Sequence, residues 1–219
     1  MTTGDAVATY TIDPTSLRER PDDVGASWAR VEELEELGER GDGERVAWLR
    51  ILGALRAAED LAWDDVVRHG GPGGMVALLS SGPGGVPIAA LRPLLRLAQV
   101  LHHAGRHVDA ERVLEQVRTA TVTHLHAPGA DERLVRECSA VLAFADQGQG
   151  KVLFDAGRPS EAVSLFRAAL DRRLRDGAPE DQVESSRLAL AAATHALEVG
   201  GPAPAGAGFG VRRTAPAGR

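Results

Sequence analysis

Residues 94–117 read LLRLAQVLHHAGRHVDAERVLEQV, and residues 150–170 read GKVLFDAGRPSEAVSLFRAAL. Each stretch contains an Ala-Gly-Arg triplet that is followed, after two intervening residues, by an acidic residue and an alanine. Apolar residues recur at intervals of three and four on both sides of the triplet, a pattern typical of amphipathic helices. The central glycine suits a tight turn because it takes positive φ without steric cost. The two stretches therefore predict two units of helix, turn and helix.

Helical periodicity continues over most of the chain and predicts an all-α fold. Gly41 and Gly43 are interpreted as the stop between a first helix from Ala26 and a second that runs through Val46 and ends near His69. Further helices are predicted over about 87–104, 108–125, 131–156, 159–177 and 180–199. No segment shows the alternating β-branched pattern of a strand.

The remaining segments are predicted to be loosely structured. Residues 1–24 are polar and acidic without a sustained period, which predicts a flexible N-terminal arm. Residues 25–199 form the helical domain and contain a glycine-rich connector over 70–86, with two Gly-Pro-Gly-Gly clusters. Residues 200–219 are mostly Gly, Pro and Ala with three arginines and predict a disordered C-terminal tail.

Composition excludes several classes of protein. The 219 residues carry a formal net charge of −6, which argues against an extended nucleic-acid surface. The single cysteine, Cys138, excludes an internal disulfide framework and a cysteine-rich zinc site. No secretory signal or membrane span is predicted, because glycines and prolines interrupt the uncharged stretch over 69–91. A cytoplasmic protein is expected, and the preference for Arg over Lys resembles the codon bias of a high-GC bacterium.

The paired motifs resemble the tetratricopeptide repeat (TPR) family, in which antiparallel helix pairs stack into a right-handed superhelix. Gly105 and Gly157 would lie in the turns, Ala110 and Ala162 at the close helix contacts, and Leu114 in the groove to the next pair. The two triplets lie 52 residues apart, whereas the family period is about 34 residues. The resemblance therefore implies a TPR-like superhelix with longer than usual helices.

The first helix of each TPR pair lines the concave face, and the resemblance therefore implies a binding groove there. The residues expected to face it are Arg92, Leu95, Arg96, Gln99, His102, His103, Phe144, Gln147, Lys151, Phe154 and Asp155. Three of these are cations, which suits an acidic peptide or a carboxylate. The alternative is that the cations are solvated charges on a helix surface.

Patterns that would indicate catalysis or metal binding are missing from the sequence. His102, His103 and His107 flank a turn, but no His-Glu-x-x-His or Glu-x-x-His spacing accompanies them. Cys138 lies on an apolar stretch and is expected to be a buried, inert thiol. The cluster around Asp65 is interpreted as a solvated helix end. No cofactor and no metal are predicted.

These observations favour a non-enzymatic interaction module, an adaptor or scaffold that binds a protein segment in its groove. No direct nucleic-acid partner and no membrane are expected, and the alanine-rich last helix suits a terminal cap or a homodimer contact. Two alternatives stay open. One is a regulatory protein that senses a peptide or small ligand and acts through a partner. The other is an accessory protein or enzyme of a small-molecule biosynthetic pathway.

Overall fold

The structure, a computed structural model, describes residues 7–82 and 84–200. Its strands are β1 (Tyr10–Ile12) and β2 (Glu19–Pro21). Its helices are α1 (Val24–Glu36), α2 (Glu39–Ile51), α3 (Leu55–Arg68), α4 (Met75–Ser80), α5 (Ile88–His103), α6 (His107–Leu125), α7 (Glu132–Asp155), α8 (Pro159–Arg175) and α9 (Glu180–Glu198). The predicted all-α class is confirmed over these residues, and the short hairpin is the one departure from it.

The helices pack mainly on their neighbours in chain order. Contacts join α1 to α2, α2 to α3, α5 to α6, α6 to α7, α7 to α8 and α8 to α9. The short α4 packs on α6, and α3 packs directly on α5. α7 is the longest helix with 24 residues, about 36 Å at the usual rise. Its length lets it contact α5 as well as α6, α8 and α9.

The two repeat turns have the geometry that their sequences predict. Gly105 and Gly157 adopt φ values of 75° and 73°, in the left-handed region that favours glycine. Ala110 and Ala162 are fully buried where the second helix of each pair approaches the first. The pattern of residues therefore specifies the pairs α5/α6 and α7/α8.

Gly150 lies on α7 where the ring of Phe166 packs on the helix. A Cβ at Gly150 would lie 2.5 Å from Phe166 Cε1, and the ring of Phe166 is fully buried. We predict that Gly150→Ala lowers the free energy of unfolding by about 1–3 kcal/mol through overpacking. Gly148→Ala, two residues earlier, is the control. Its Cβ meets only the terminal methyls of Leu114, and we expect a change below about 1 kcal/mol. Urea unfolding of both variants checks this, and equal losses would contradict it.

The first three helices differ from the prediction at two places. Gly53, with φ of 79°, separates α2 from α3, whereas the continuing apolar pattern had predicted one helix. Gly41 and Gly43 lie inside α2 and do not stop a helix. A Cβ at Gly41 would lie 2.2 Å from the carbonyl oxygen of Leu34. Gly41 therefore serves a close approach between α1 and α2.

The connector over 70–86 contains the six-residue helix α4. Leu78 on this helix is fully buried in the main apolar cluster, which also draws on α1, α2, α3, α5, α6 and α7. The connector is therefore anchored by its central apolar residues. Residues 1–6 of the predicted arm and 201–219 of the predicted tail lie outside the described residues.

Residues 7–23, predicted to belong to a flexible arm, contain an antiparallel hairpin in which Thr11 pairs with Arg20. Asp13 stabilises its loop, because its Oδ1 accepts hydrogen bonds from the amides of Thr15 (2.8 Å) and Ser16 (3.1 Å). Leu17 at the end of the loop is only 2% exposed. We call residues 10–21 the hairpin.

Leu17 belongs to a second apolar cluster, which lies between α7, α8 and α9. The other buried members are Leu153, Phe154, Ala162, Phe166, Ala189 and Ala193. Leu17 therefore anchors this segment to the helices. The sequence did not predict this contact, because a single leucine in a polar segment shows no pattern.

Candidate functional site

Most of the predicted groove residues line one cavity between α5 and α7, which we call the groove. The predicted residues that line the groove are Leu95, Gln99, His102, His103, Phe144, Gln147 and Lys151. They share a face because residues three or four apart on a helix are neighbours. Arg50 of α2 and Glu19 of the hairpin also line it, together with Ala98, Leu114, Gly148 and Val152. With Glu19 in place, the free volume of the cavity is about 40 Å³.

The carboxylate of Glu19 is clamped inside the groove. Lys151 Nζ lies 3.0 Å from its Oε1, and Arg50 Nη1 lies 2.7 Å from its Oε2. His103 Nε2 is 3.5 Å from the same Oε2. The side chains of Glu19 and Arg50 are only 13% and 6% exposed. Of the three cations predicted for the groove, only Lys151 lies here, and together with Arg50 it holds an acidic residue of the same chain.

The two residues before Glu19 also find complementary partners. Arg18 Nη2 lies 3.0 Å from Asp155 Oδ2, which also lies 2.9 Å from His102 Nε2. Leu17 is buried in the cluster that contains Phe154. Three successive side chains of the hairpin, apolar, basic and acidic, thus meet apolar, acidic and basic groups that α7 presents along its last turns.

The geometry fixes the protonation of the groove. Burial alone would raise the pKa of Glu19, but Lys151 and Arg50 hold that pKa far below its usual range. Burial lowers the pKa of His103 to about 4, against a raising effect of Glu19. A neutral His103 fits its contacts, because Nδ1 donates to the carbonyl of Gln99 (3.0 Å) while Nε2 accepts from Arg50 (2.8 Å). Glu19 is therefore ionised and His103 neutral near pH 7.

The depressed pKa of His103 makes stability depend on pH. Its pKa is about 4 in the folded chain against an ordinary value of 6.5. Above about pH 6.5 neither state binds the proton, and as the pH falls toward 4 only the unfolded chain binds it. We predict that the free energy of unfolding falls over this window, by about 3 kcal/mol from His103. Urea unfolding at pH 7.5 and 4.5 checks this against His103→Gln.

His103→Gln should reduce the fall in stability, whereas His126→Gln, which alters an exposed histidine at the end of α6, should leave it unchanged. An equal pH dependence in the wild type and His103→Gln would contradict the prediction. Burial lowers the pKa of His102 as well. Part of the pH dependence therefore remains in His103→Gln.

Four of the predicted groove residues lie outside this cavity. Asp155 and Phe154 contact the hairpin at its end, as described above. Arg96 lies one residue from Leu95, on another face of α5, and its Nη1 donates to Asp65 Oδ2 at 2.9 Å. Arg92 lines a separate cleft between α5, α7 and α8. Arg96 thus joins α5 to α3, and the structure does not bring it together with Lys151.

Asp65, interpreted from the sequence as part of a solvated helix end, is buried at the contact of α3 with α5. Arg96 and Arg68 flank its carboxylate, and Arg68 also donates to the buried Asp42 on α2 at 2.7 Å. This chain of charges joins three helices. The acidic cluster at this end of α3 therefore holds helices together.

The residues with reactive or metal-binding side chains give no further site over the described part of the chain. In residues 7–82 and 84–200, no three His, Cys, Asp or Glu side chains are placed to hold a metal ion. Cys138 is buried, and burial raises the pKa of its thiol. None of the described helices combines the length and apolar character needed to cross a bilayer.

Sequence reasoning missed Leu17, Glu19 and Arg50. Arg50 is a charged residue on a predicted helix, where local sequence does not distinguish a groove residue from a solvated charge, and the hairpin residues lie in a segment without periodicity. The available signals were local. Tyr10 and Ile12 favour strands, and an Asp-Pro pair at 13–14 favours a turn.

Comparisons with protein-family profiles, with curated proteins and with solved structures gave no match to this chain.

Proposed function

We propose that this protein is a non-enzymatic, TPR-like interaction module whose groove binds an acidic segment of a partner protein in place of its own hairpin. The observation that carries the proposal is the clamp on Glu19, in which Lys151 and Arg50 hold one carboxylate inside the groove. Buried cations of this kind recognise a carboxylate strongly because charge-assisted hydrogen bonds are shielded from water. A partner would supply the same group.

The hairpin indicates what the partner segment looks like. Leu17, Arg18 and Glu19 use an apolar subsite, an acidic subsite at Asp155 and a basic subsite at Lys151. A partner segment of extended shape with successive apolar, basic and acidic residues would satisfy all three. Specificity would come from the order of the charges, since a reversed order places like charges together.

The conformation of Leu17 supports displacement of the hairpin. Its φ is 56°, in the left-handed region, which costs a non-glycine residue about 1–2 kcal/mol. A partner that reaches the same three subsites without this strain gains that free energy relative to the hairpin. The hairpin would then act as an internal competitor that weak or mismatched segments do not displace.

The arrangement of the helix pairs supports a TPR-like scaffold. The pairs α5/α6 and α7/α8 share the glycine turn and the buried alanine of the family pattern, and α5 contacts α7 across the groove. First helices of successive pairs thus lie side by side, as the family resemblance implies. Such a scaffold presents a rigid surface on which a segment binds with little loss of protein entropy.

The test is capture of partners from an extract of the source cells by four full-length proteins. Glu19→Gln should retain more of a partner than the wild type, because its hairpin is released. Adding Lys151→Glu to Glu19→Gln should abolish retention. Adding Arg92→Glu instead is the control, since Arg92 lies outside the groove. Equal retention by all four proteins, or no protein retained by any of them, would contradict the proposal.

A second function, ligand sensing in a regulatory protein, is favoured by one observation. The cleft that contains Arg92 also contains the buried Arg173, and Phe144 lines both this cleft and the groove. A small ligand bound there would contact a side chain of the groove.

A further inference from the structure

A cleft of about 300 Å³ lies between α5, α7 and α8 and the start of α9. We call it the arginine cleft, because Arg92, Arg136 and Arg173 line it. Its apolar lining includes Ala140, Ala143, Phe144 and Pro179, and Asp176 is the acidic residue of the lining. Its volume is at the lower end of the range for small-molecule sites, about 300–1,000 Å³. Three cations thus face one carboxylate in a cleft whose remaining walls are largely apolar.

Arg173 is the unusual member of this cleft. Its side chain is only 4% exposed, yet it makes no ion pair with any residue in the described ranges 7–82 and 84–200. Its Nη1 donates to the carbonyl of Gln182 (2.6 Å) and to Ser186 Oγ (2.7 Å). Its Nε has no hydrogen-bond partner there. A buried charge without a counterion is costly unless a ligand or partner supplies one.

The burial of Arg173 and its contact with Phe144 also favour an anion beside its guanidinium. Burial lowers the pKa of Arg173 to about 10, and Asp181 opposes this without forming an ion pair. The guanidinium lies 5.0 Å from the centroid of the Phe144 ring, which lines the cleft beside it. Phe144 thus covers one face of the guanidinium, and both side chains line the cleft.

The two other arginines add positive charge at the mouth of the cleft. Arg92 is exposed and has no ion pair within the described part of the chain. Arg136 makes only an exposed pair with Glu132 at 3.3 Å. The one acidic residue of the lining, Asp176, accepts a hydrogen bond from Ser139. The charge of the cleft therefore favours an anion.

We propose that the arginine cleft is a binding site for a small organic carboxylate with an apolar body. The carboxylate would pair with Arg173 in the cleft, with Arg92 and Arg136 at the mouth. The body would lie on Ala140, Ala143 and Pro179. A carboxylate suits the planar edge of a guanidinium, because two parallel hydrogen bonds can form.

The test is titration of the full chain with 4-phenylbutyrate by calorimetry. We expect a Kd of about 1 mM or tighter, the level that a dozen heavy atoms reach at typical ligand efficiency. The neutral amide, 4-phenylbutyramide, and inorganic phosphate separate the two parts of the ligand. Both should bind at least about tenfold more weakly, since each lacks one part. Equal binding of the amide would overturn the role of the charge, and equal binding of phosphate would overturn the apolar body.

Variants locate the site. Arg173→Met should weaken binding about tenfold or more. If it fails to fold, the double variant Arg92→Met/Arg136→Met, which changes exposed side chains, should weaken binding in the same direction. Arg133→Met, an exposed change on α7 outside the cleft, should leave the affinity unchanged. Affinity lost in Lys151→Met but unchanged in the double variant would place the ligand in the groove and overturn the proposal.

Discussion

Glu19→Gln should release the hairpin from the helices and leave the helices folded. The substitution removes the only acidic group of the clamp and leaves Lys151 and Arg50 with a neutral amide. Breaking a buried charge cluster in this way costs about 3–5 kcal/mol. The cost falls on the segment with the fewest other contacts, and we expect local release before global unfolding.

Amide hydrogen exchange measures this release directly. The amides of Asp13, Leu17 and Asp22 donate within the hairpin and its flanks, to Arg18, Asp13 and Thr9 respectively. Their exchange should accelerate by at least about a hundredfold in Glu19→Gln, while the amides of α5 and α7 keep their protection. Asp22→Asn is the matched control, because it makes the same change at an exposed carboxylate. Unaltered exchange in Glu19→Gln would refute the clamp.

Leu17→Ala should release the same hairpin by a different route. Leu17 is buried against α7, α8 and α9, and truncation of a buried leucine to alanine costs about 2–5 kcal/mol. Alanine keeps the strained positive φ, so no backbone relief offsets the loss. The effect should be confined to the hairpin, since Phe166 and Ala162 stay packed on Gly150 and α7.

Trypsin reports the release, because Arg18 precedes a cleavable bond. When opening is fast relative to cleavage, the rate follows the population of the released hairpin. We expect cleavage after Arg18 to accelerate about thirtyfold or more in Leu17→Ala, with little change in the thermal unfolding of the helices. Leu174→Ala, the same truncation at an exposed leucine of α8, is the control. Comparable cleavage rates in the two variants would mean that Leu17 does not anchor the hairpin.

The parts of the fold that the sequence predicted are those in which local and tertiary requirements coincide. Gly105 and Gly157 lie in the turns, where a residue with positive φ is needed. Ala110 and Ala162 are buried, because a small residue fits both the helix and the close contact with the neighbouring helix. Gln147 and Lys151 share one face of α7 by helical spacing, and the packing of α5 on α7 brings Gln99 to the same cavity.

The parts that the sequence did not predict depend on contacts between distant segments. Arg96 pairs with Asp65, 31 residues away, and no local pattern assigns a charged residue to that partner. Glu19 pairs with Lys151 across 132 residues, from three-residue strands that are too short to show alternation. Gly41 fits the pattern of a helix stop, but it lies where α1 packs closely on α2. A glycine in the sequence does not by itself distinguish a helix stop from a close contact between helices.

The central claim, that the groove recognises a carboxylate in the place of Glu19, is tested most directly by adding the hairpin back as a separate peptide. A synthetic peptide of residues 8–22 would be titrated into the full-length variant Leu17→Ala/Glu19→Gln, whose own hairpin is released. The account predicts binding that is at least about tenfold tighter than that of the same peptide with glutamine at position 19, and loss of this difference when Lys151→Glu is added. Equal affinity of the two peptides, or no binding of either at millimolar concentration, would contradict it.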